Sequence, residues 1–223
     1  MVVKANGYKI KPGAKLRFAN LSDADLTDAN LTKTILHYVD LRGANLTGAN
    51  LTGADLTGAN LTNAILRYAN LTRADLTGAD LTGANLVDQE LPEKNLSDAN
   101  LEDTNLSGVN LFCANLSSAI LSYANLSHTN MQGANLTHTN LQGANLSDRD
   151  LHCVNLSHAN LSNANLFEAW MESANLESAN MTNANLRNAW LKGADLTNAD
   201  LTNADLTGAN LQNATMPDGT IHD

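Results

Sequence analysis

From Leu16 to Met216 every fifth residue is Leu or Met, 41 consecutive positions without a slip of register, with Met only at Met131, Met171, Met181 and Met216. Two residues before each stands, in most repeats, Ala, and between them Asn or Asp; "ANLTGANLTGADLTGANLTNA" (44–64) shows the pattern. No regular element tolerates this spacing. On an α-helix five residues advance about 500°, so successive Leu would wander around the cylinder. On a flat strand an odd period sends alternate Leu to opposite faces. Every Leu can point the same way only if the chain turns once per repeat. Gly, Asn, Asp, Ser and Thr, which favour turns, fill the intervening positions. If four such turns close a square, one lap takes about 20 residues and laps stack at about 4.8 Å.

The residues that carry this period, such as "ADLTGANLTNA", resemble the pentapeptide-repeat family, whose signature is A(D/N)LXX. That resemblance covers residues 14–216 and implies an all-β fold: a right-handed quadrilateral parallel β-helix with the central Leu and the preceding Ala inward and the other three positions outward. It implies about ten coils and a rod about 50 Å long. A small neighbour beside each Leu suits a narrow interior, and each buried Leu contributes on the order of 1.5–3 kcal/mol. An open coil presents unpaired strand edges; residues 1–13 and 217–223, where the repeat is broken, are expected to cap them. "YKIKPGA" and "TMPDGTIHD" resemble the ends of cyanobacterial members.

The exceptions to the period carry most of the remaining information. The small inward position holds Gln89, Lys94 and Arg149, and a cation cannot sit unpaired in a dry, Leu-lined interior. Gln89 and Lys94 lie in "NLVDQELPEKNLSDAN", so residues 87–95 are expected to loop out or to form a distorted coil. A loop of five or ten residues would shift the phase of every face beyond it.

Charge bounds the partners. The chain of 223 residues carries 13 basic and 23 acidic side chains, a net charge of −10. Nine basic and six acidic residues precede Leu76; four basic and seventeen acidic follow. Nucleic acid and anionic membranes both require a basic footprint, so neither is expected as a direct partner. "MVVKANGYKIKPG" lacks the apolar stretch of a signal peptide and no membrane-length apolar run follows, which makes the cytoplasm the expected compartment.

Catalytic chemistry finds no support, and no cofactor or metal is expected. His138 and His158 fall on adjacent coils, but no carboxylate or thiol completes a shell. Cys113 and Cys153 lie two coils apart, beyond disulfide reach, and are read as free thiols. Ile35, Ile65 and Ile120, each followed three residues later by Tyr38, Tyr68 or Tyr123, read as local packing over turns. The "NLT" and "NLS" sequons are by-products of the repeat.

One patch stands apart. "FEAW" (167–170) and "RNAW" (187–190) are one lap apart, with "SDRD" (147–150) a lap earlier. This spacing places Asp148, Asp150, Phe167, Glu168, Trp170, Arg187 and Trp190 side by side. Trp and Arg ringed by charge is the composition of interface hot spots; a surface ladder that reinforces neighbouring coils is the other reading.

The function expected is therefore a non-enzymatic scaffold that presents flat faces to an as yet unidentified protein. With small caps and no long helix for dimerisation, a monomer is favoured. The alternative implied by the family resemblance is a DNA-mimicking modulator of a type II topoisomerase, the role of the quinolone-resistance members. Two features oppose it. The acids spread over four faces: Asp148 and Glu168, Glu172 and Asp195, Glu177 and Asp200, Glu102 and Asp205. The quinolone-resistance group also centres its repeats on Phe, where this chain uses Leu.

Overall fold

Each repeat closes on itself through one β-turn. The amide three residues after a central Leu donates to that Leu's carbonyl, as Ala49 does to Leu46 at 2.9 Å and Ala114 to Leu111 at 2.9 Å. The third residue of the turn has positive φ in nearly every repeat, near +55° in Asp28, Tyr38 and Cys153 and near +65° in Gly48 and Gly53. Positive φ at that position alone is the mark of a type II turn. The computed structural model describes residues 3–87, 89–91 and 93–223.

The residue before the central Leu forms a single-residue parallel bridge with its counterpart 20 residues on, as in Asn45–Ile65 and Asn165–Asn185. Four turns thus make a lap, and the chain is a right-handed quadrilateral parallel β-helix. Leu21 to Leu66 in the central column are fully buried, and the Ala column beside them is 0–6% exposed over the same span. Where Thr replaces that Ala, its hydroxyl donates to a backbone carbonyl, as Thr34 does to Leu31 at 2.6 Å and Thr104 to Leu81 at 2.7 Å. Among the described residues no buried side-chain polar atom lacks a partner.

The Asn/Asp position has its own physical cause. Its side-chain oxygen accepts from the amide two residues on and, in most repeats where that residue is Thr, from the hydroxyl as well: Thr47 donates to Asn45 Oδ1 at 3.1 and 2.6 Å. This Asx geometry locks the start of each turn. Asn side chains also bridge laps, with Asn185 Nδ2 donating to Asn165 Oδ1 at 3.0 Å. Asp25, Asp200 and Asp205 are held below the usual carboxylate pKa by the same bonds from Thr27, Thr202 and Thr207.

Side chains at the positive-φ position lean over the next lap. The Phe18 and Tyr38 rings stack at 5.6 Å and 6°, and Tyr38 in turn covers Gly58, where a β-carbon would lie 2.4 Å from its Cε1. Gly78, next in this column and also at φ +63°, has nothing within 4 Å of such a carbon. Gly78→Ala therefore carries only the left-handed backbone cost, about 1–2 kcal/mol. Gly58→Ala is expected to cost about 1 kcal/mol more, because the ring must leave its rotamer. Urea unfolding of the two variants checks this, and equal losses would refute the leaning-ring account.

At the N-terminal end Val3–Ala5 (β1) and Tyr8–Ile10 (β2) form an antiparallel hairpin around Asn6-Gly7, both at positive φ, the pair a type I′ turn requires. Ile10 is buried, and so are Leu16 and Leu21 of the first lap. At the other end the tail folds back, with Thr215 bridging Ile221 antiparallel and His222 donating to Ala214 at 2.8 Å. Leu201, Leu206, Leu211 and Met216 there are only partly buried. No helix of the described residues is long and apolar enough to cross a membrane.

Two irregularities interrupt the ladder. Among the described residues the rungs Asn70–Glu90 and Asp75–Asn95 are missing, as is Asn130–Asp150, while every other lap-to-lap bridge from Lys15 to Thr215 is present. The first gap is a local distortion without a phase shift, since Asp80 still pairs with Asn100 and Glu90 with Asn110. Within 87–95, Asp88 and Pro92 lie outside the described residues. Gln89 and Lys94 stay inward and buried: Gln89 Nε2 donates to Leu66 O at 2.7 Å, and Lys94 Nζ to Leu71 O at 2.5 Å and Ala74 O at 3.3 Å. Burial lowers the Lys94 pKa, with Asp75 acting against it. At the second gap Arg149 is half-buried and its Nε donates to Ser147 O at 2.8 Å. Unlike Lys94, Arg149 is not taken inward to the carbonyls of the neighbouring lap, and next to it Asp150 lacks its rung to Asn130.

Candidate interaction site

Three parallel columns make up the patch around the tryptophans. The bridging column runs Asp150, Trp170, Trp190, Asn210, each paired with the next. Trp170 N donates to Arg149 O at 2.9 Å and Trp190 N to Ala169 O at 2.9 Å, so the backbone fixes the indoles one lap apart. Both are half-exposed, 52% for Trp170 and 48% for Trp190. Trp cannot make the Asx bond that Asn or Asp makes at this position, so its side chain serves neither the turn nor the core.

The positive-φ column runs Asp148, Glu168, Asn188, Gly208. Asn188 Nδ2 donates to Glu168 Oε1 at 3.5 Å, and a β-carbon on Gly208 would lie 2.4 Å from Asn188 Oδ1. The third column holds Ser147, Phe167, Arg187 and Thr207. Phe167 is half-buried, and Arg187 is exposed with its Nε 3.9 Å from Asp205 Oδ2. All seven residues singled out from the sequence thus lie on consecutive laps, with Asp148 on the rim and Asp150 turned to a partner that sequence reasoning did not name.

That partner is His152. Its Nδ1 lies 2.8 Å from Asp150 Oδ1 and its Nε2 2.5 Å from Glu172 Oε2. Its ring meets Trp170 edge to face at 6.3 Å and 86°. Burial works to lower the His152 pKa, but the bonds its ring nitrogens donate to the Asp150 and Glu172 carboxylates outweigh it and the net direction is upward. A hollow of about 270 Å³ is lined by His152, Trp170, Glu172 and Trp190. On the other flank of the indoles a hollow of about 480 Å³ is lined by Glu168, Trp170, Asn188, Trp190, Gly208 and Asn210.

The pentapeptide-repeat family model matches in eight copies between residues 13 and 216. The chain is a pentapeptide-repeat protein. It is 39% identical to HetL, a pentapeptide-repeat protein involved in heterocyst differentiation regulation in the cyanobacterium Nostoc, over 95% of this chain and 92% of HetL, with a TM-score of 0.45. Trypsin-treated QnrB1, a plasmid-mediated fluoroquinolone resistance protein, shares the fold at 15% identity over 89% of each chain, with a TM-score of 0.52. Rfr23, from the cyanobacterium Cyanothece, is 29% identical over 65% of this chain and 91% of its own, with a TM-score of 0.27. No curated protein matches the chain.

Elsewhere on this pentapeptide-repeat surface, His138 and His158 stack at 4.8 Å and 6°. Among the described residues no group of three or more His, Cys, Asp or Glu could hold a metal ion. Cys113 and Cys153 are free and exposed. Ile65 and Ile120 are 40% and 39% exposed in bridging columns.

The raised His152 pKa has a testable sign. A histidine held above its usual 6.5 adds stability that is fully present below pH 6.5 and is lost as pH rises through its folded value. An NMR titration is expected to place the His152 imidazole above 6.5, and Glu172→Gln should bring it down. A midpoint unchanged by that substitution would rule out the Glu172 bond as a cause.

Proposed function

We propose that this pentapeptide-repeat protein is a non-enzymatic cytoplasmic scaffold whose Trp170–Trp190 face binds another protein. The observation that carries the reading is the pair of half-exposed indoles on successive laps of a bridging column that from Asn30 to Asn210 otherwise holds only Asn, Asp and Glu. Aromatic side chains held by a rigid backbone lose little entropy on binding and dominate interface energetics. Asp148, Asp150, Phe167, Glu168 and Arg187 form the polar and apolar rim. The identity to HetL, whose described role is regulatory, supports a role in recognition.

Affinity capture from native cytoplasm tests the reading, with Trp170→Ala/Trp190→Ala as control. A captured set that loses members with the folded double variant supports it; identical sets would reduce the face to a structural ladder. The topoisomerase alternative draws no added support from the likeness to QnrB1, which is one of fold. Supercoiling by purified gyrase in the presence of this protein separates the two functions.

A further inference from the structure

We propose that the Trp170–Trp190 ladder is a receptor for an arginine side chain carried on a basic segment of the partner protein. This rests on the scaffold reading and specifies its partner's chemistry. The indoles stand as a ridge between two hollows, and each hollow joins the same aromatic walls to one carboxylate, Glu172 on one flank and Glu168 on the other. The face of an indole carries negative electrostatic potential and attracts a cation placed over it. A guanidinium is planar, weakly hydrated and able to stack on the ring while its N–H groups donate to a neighbouring carboxylate. An ammonium meets only the first of these conditions well.

The surrounding charge agrees. From Leu76 onward the chain carries four basic against seventeen acidic residues, so a basic segment is attracted and an acidic one repelled. Of the nearby basic groups, Arg187 is drawn towards Asp205 at 3.9 Å. Lys192 lines the adjoining hollow with His152, Cys153 and Glu172. Neither lines the two hollows that share the indoles; His152 does line the Glu172 hollow, where it already bonds that carboxylate, so the Glu168 hollow is the freer of the two. Glu168 is half-buried with only a long bond from Asn188 at 3.5 Å, which leaves it able to accept from a ligand.

The test uses the full chain and a fluorescein-labelled nonapeptide of alternating glycine and arginine, with lysine and citrulline counterparts, read by anisotropy at about 0.15 M salt. The arginine peptide should bind, the lysine peptide more weakly, and the isosteric but neutral citrulline peptide not measurably. Trp170→Ile/Trp190→Ile should weaken arginine binding about tenfold. Isoleucine is the safe replacement because Ile35, Ile65 and Ile120 occupy the same repeat position. Glu168→Gln/Glu172→Gln should also weaken it. Equal binding of the arginine and lysine peptides, or an affinity indifferent to the Trp substitutions, would overturn the proposal, since diffuse attraction to an acidic rod gives that result. If the peptides fail while the double Trp→Ala variant still loses captured proteins, the scaffold reading stands and the arginine receptor falls.

Discussion

Replacing Leu46 with alanine is expected to lower the free energy of unfolding by about 2–5 kcal/mol. Leu26 and Leu66 occupy the same column one lap away on either side, and all three side chains are fully buried. Alanine columns flank them, so no large neighbour can move in to fill the space. In a solenoid each lap is stabilised mainly by its neighbours, and a cavity in one lap weakens two interfaces. Leu206→Ala removes the same atoms from a partly buried position in the C-terminal lap and should cost less than half as much. Denaturant unfolding of the two variants gives the comparison. Equal costs would mean that the end of the rod is as well sealed as its middle.

The second large effect runs the other way. Gln89→Ala/Lys94→Ala is expected to stabilise the protein by about 2 kcal/mol, as the sum of two substitutions towards the repeat's own consensus. Where the ladder is intact, the inward carbonyl accepts from the bridging amide of the next lap, as Ala24 O does from Asn45 at 3.0 Å. At the distorted coil the Lys94 ammonium reaches Ala74 O at 3.3 Å instead. Alanine at both positions lets the rungs Asn70–Glu90 and Asp75–Asn95 close. The lowered Lys94 pKa also sets a pH dependence: stability of the parent should rise with pH between the folded value and 10.5, and the variant should lose that rise. Limited proteolysis gives a local readout, with the first cuts in the parent expected within 87–95 and delayed in the variant. Destabilisation would show that the bonds from Gln89 and Lys94 to the carbonyls outweigh the lost rungs.

The period of five determined which residues face inward and which lap each residue belongs to, because only a chain turning once per repeat keeps every Leu on one side. The seven patch residues follow from the same arithmetic. Other features depend on side-chain direction, which a period does not encode. His152 and Glu172 stand two residues beyond the Trp column, on the adjoining face, and meet Trp170 only because the imidazole is held between two carboxylates. The Gly and Asn at the third turn position read in sequence as general turn formers. Their reason is the positive φ, and the Tyr38 ring lying over Gly58 needs the backbone to be seen. Arg149 was marked by its charge, but the lost rung at Asn130–Asp150 is a consequence of where its side chain goes. At 87–95 the sequence left a loop and a distortion open, since a loop carries the amine out to water and a distorted coil lets it reach backbone carbonyls.

The missing rungs have a mechanical consequence. Two of the three, Asn70–Glu90 and Asn130–Asp150, lie in the one corner column that continues as Trp170 and Trp190, and the third lies in the neighbouring column. Backbone rungs resist stretching far better than the side-chain contacts that replace them. A rod unzipped twice along one corner and once along its neighbour has unequal bending stiffness: it flexes most readily in the plane that opens the twice-broken corner. Thermal flexing is therefore directional, and the tryptophans ride on the edge that lengthens. A partner gripping that edge would feel a spring softer than the rest of the rod.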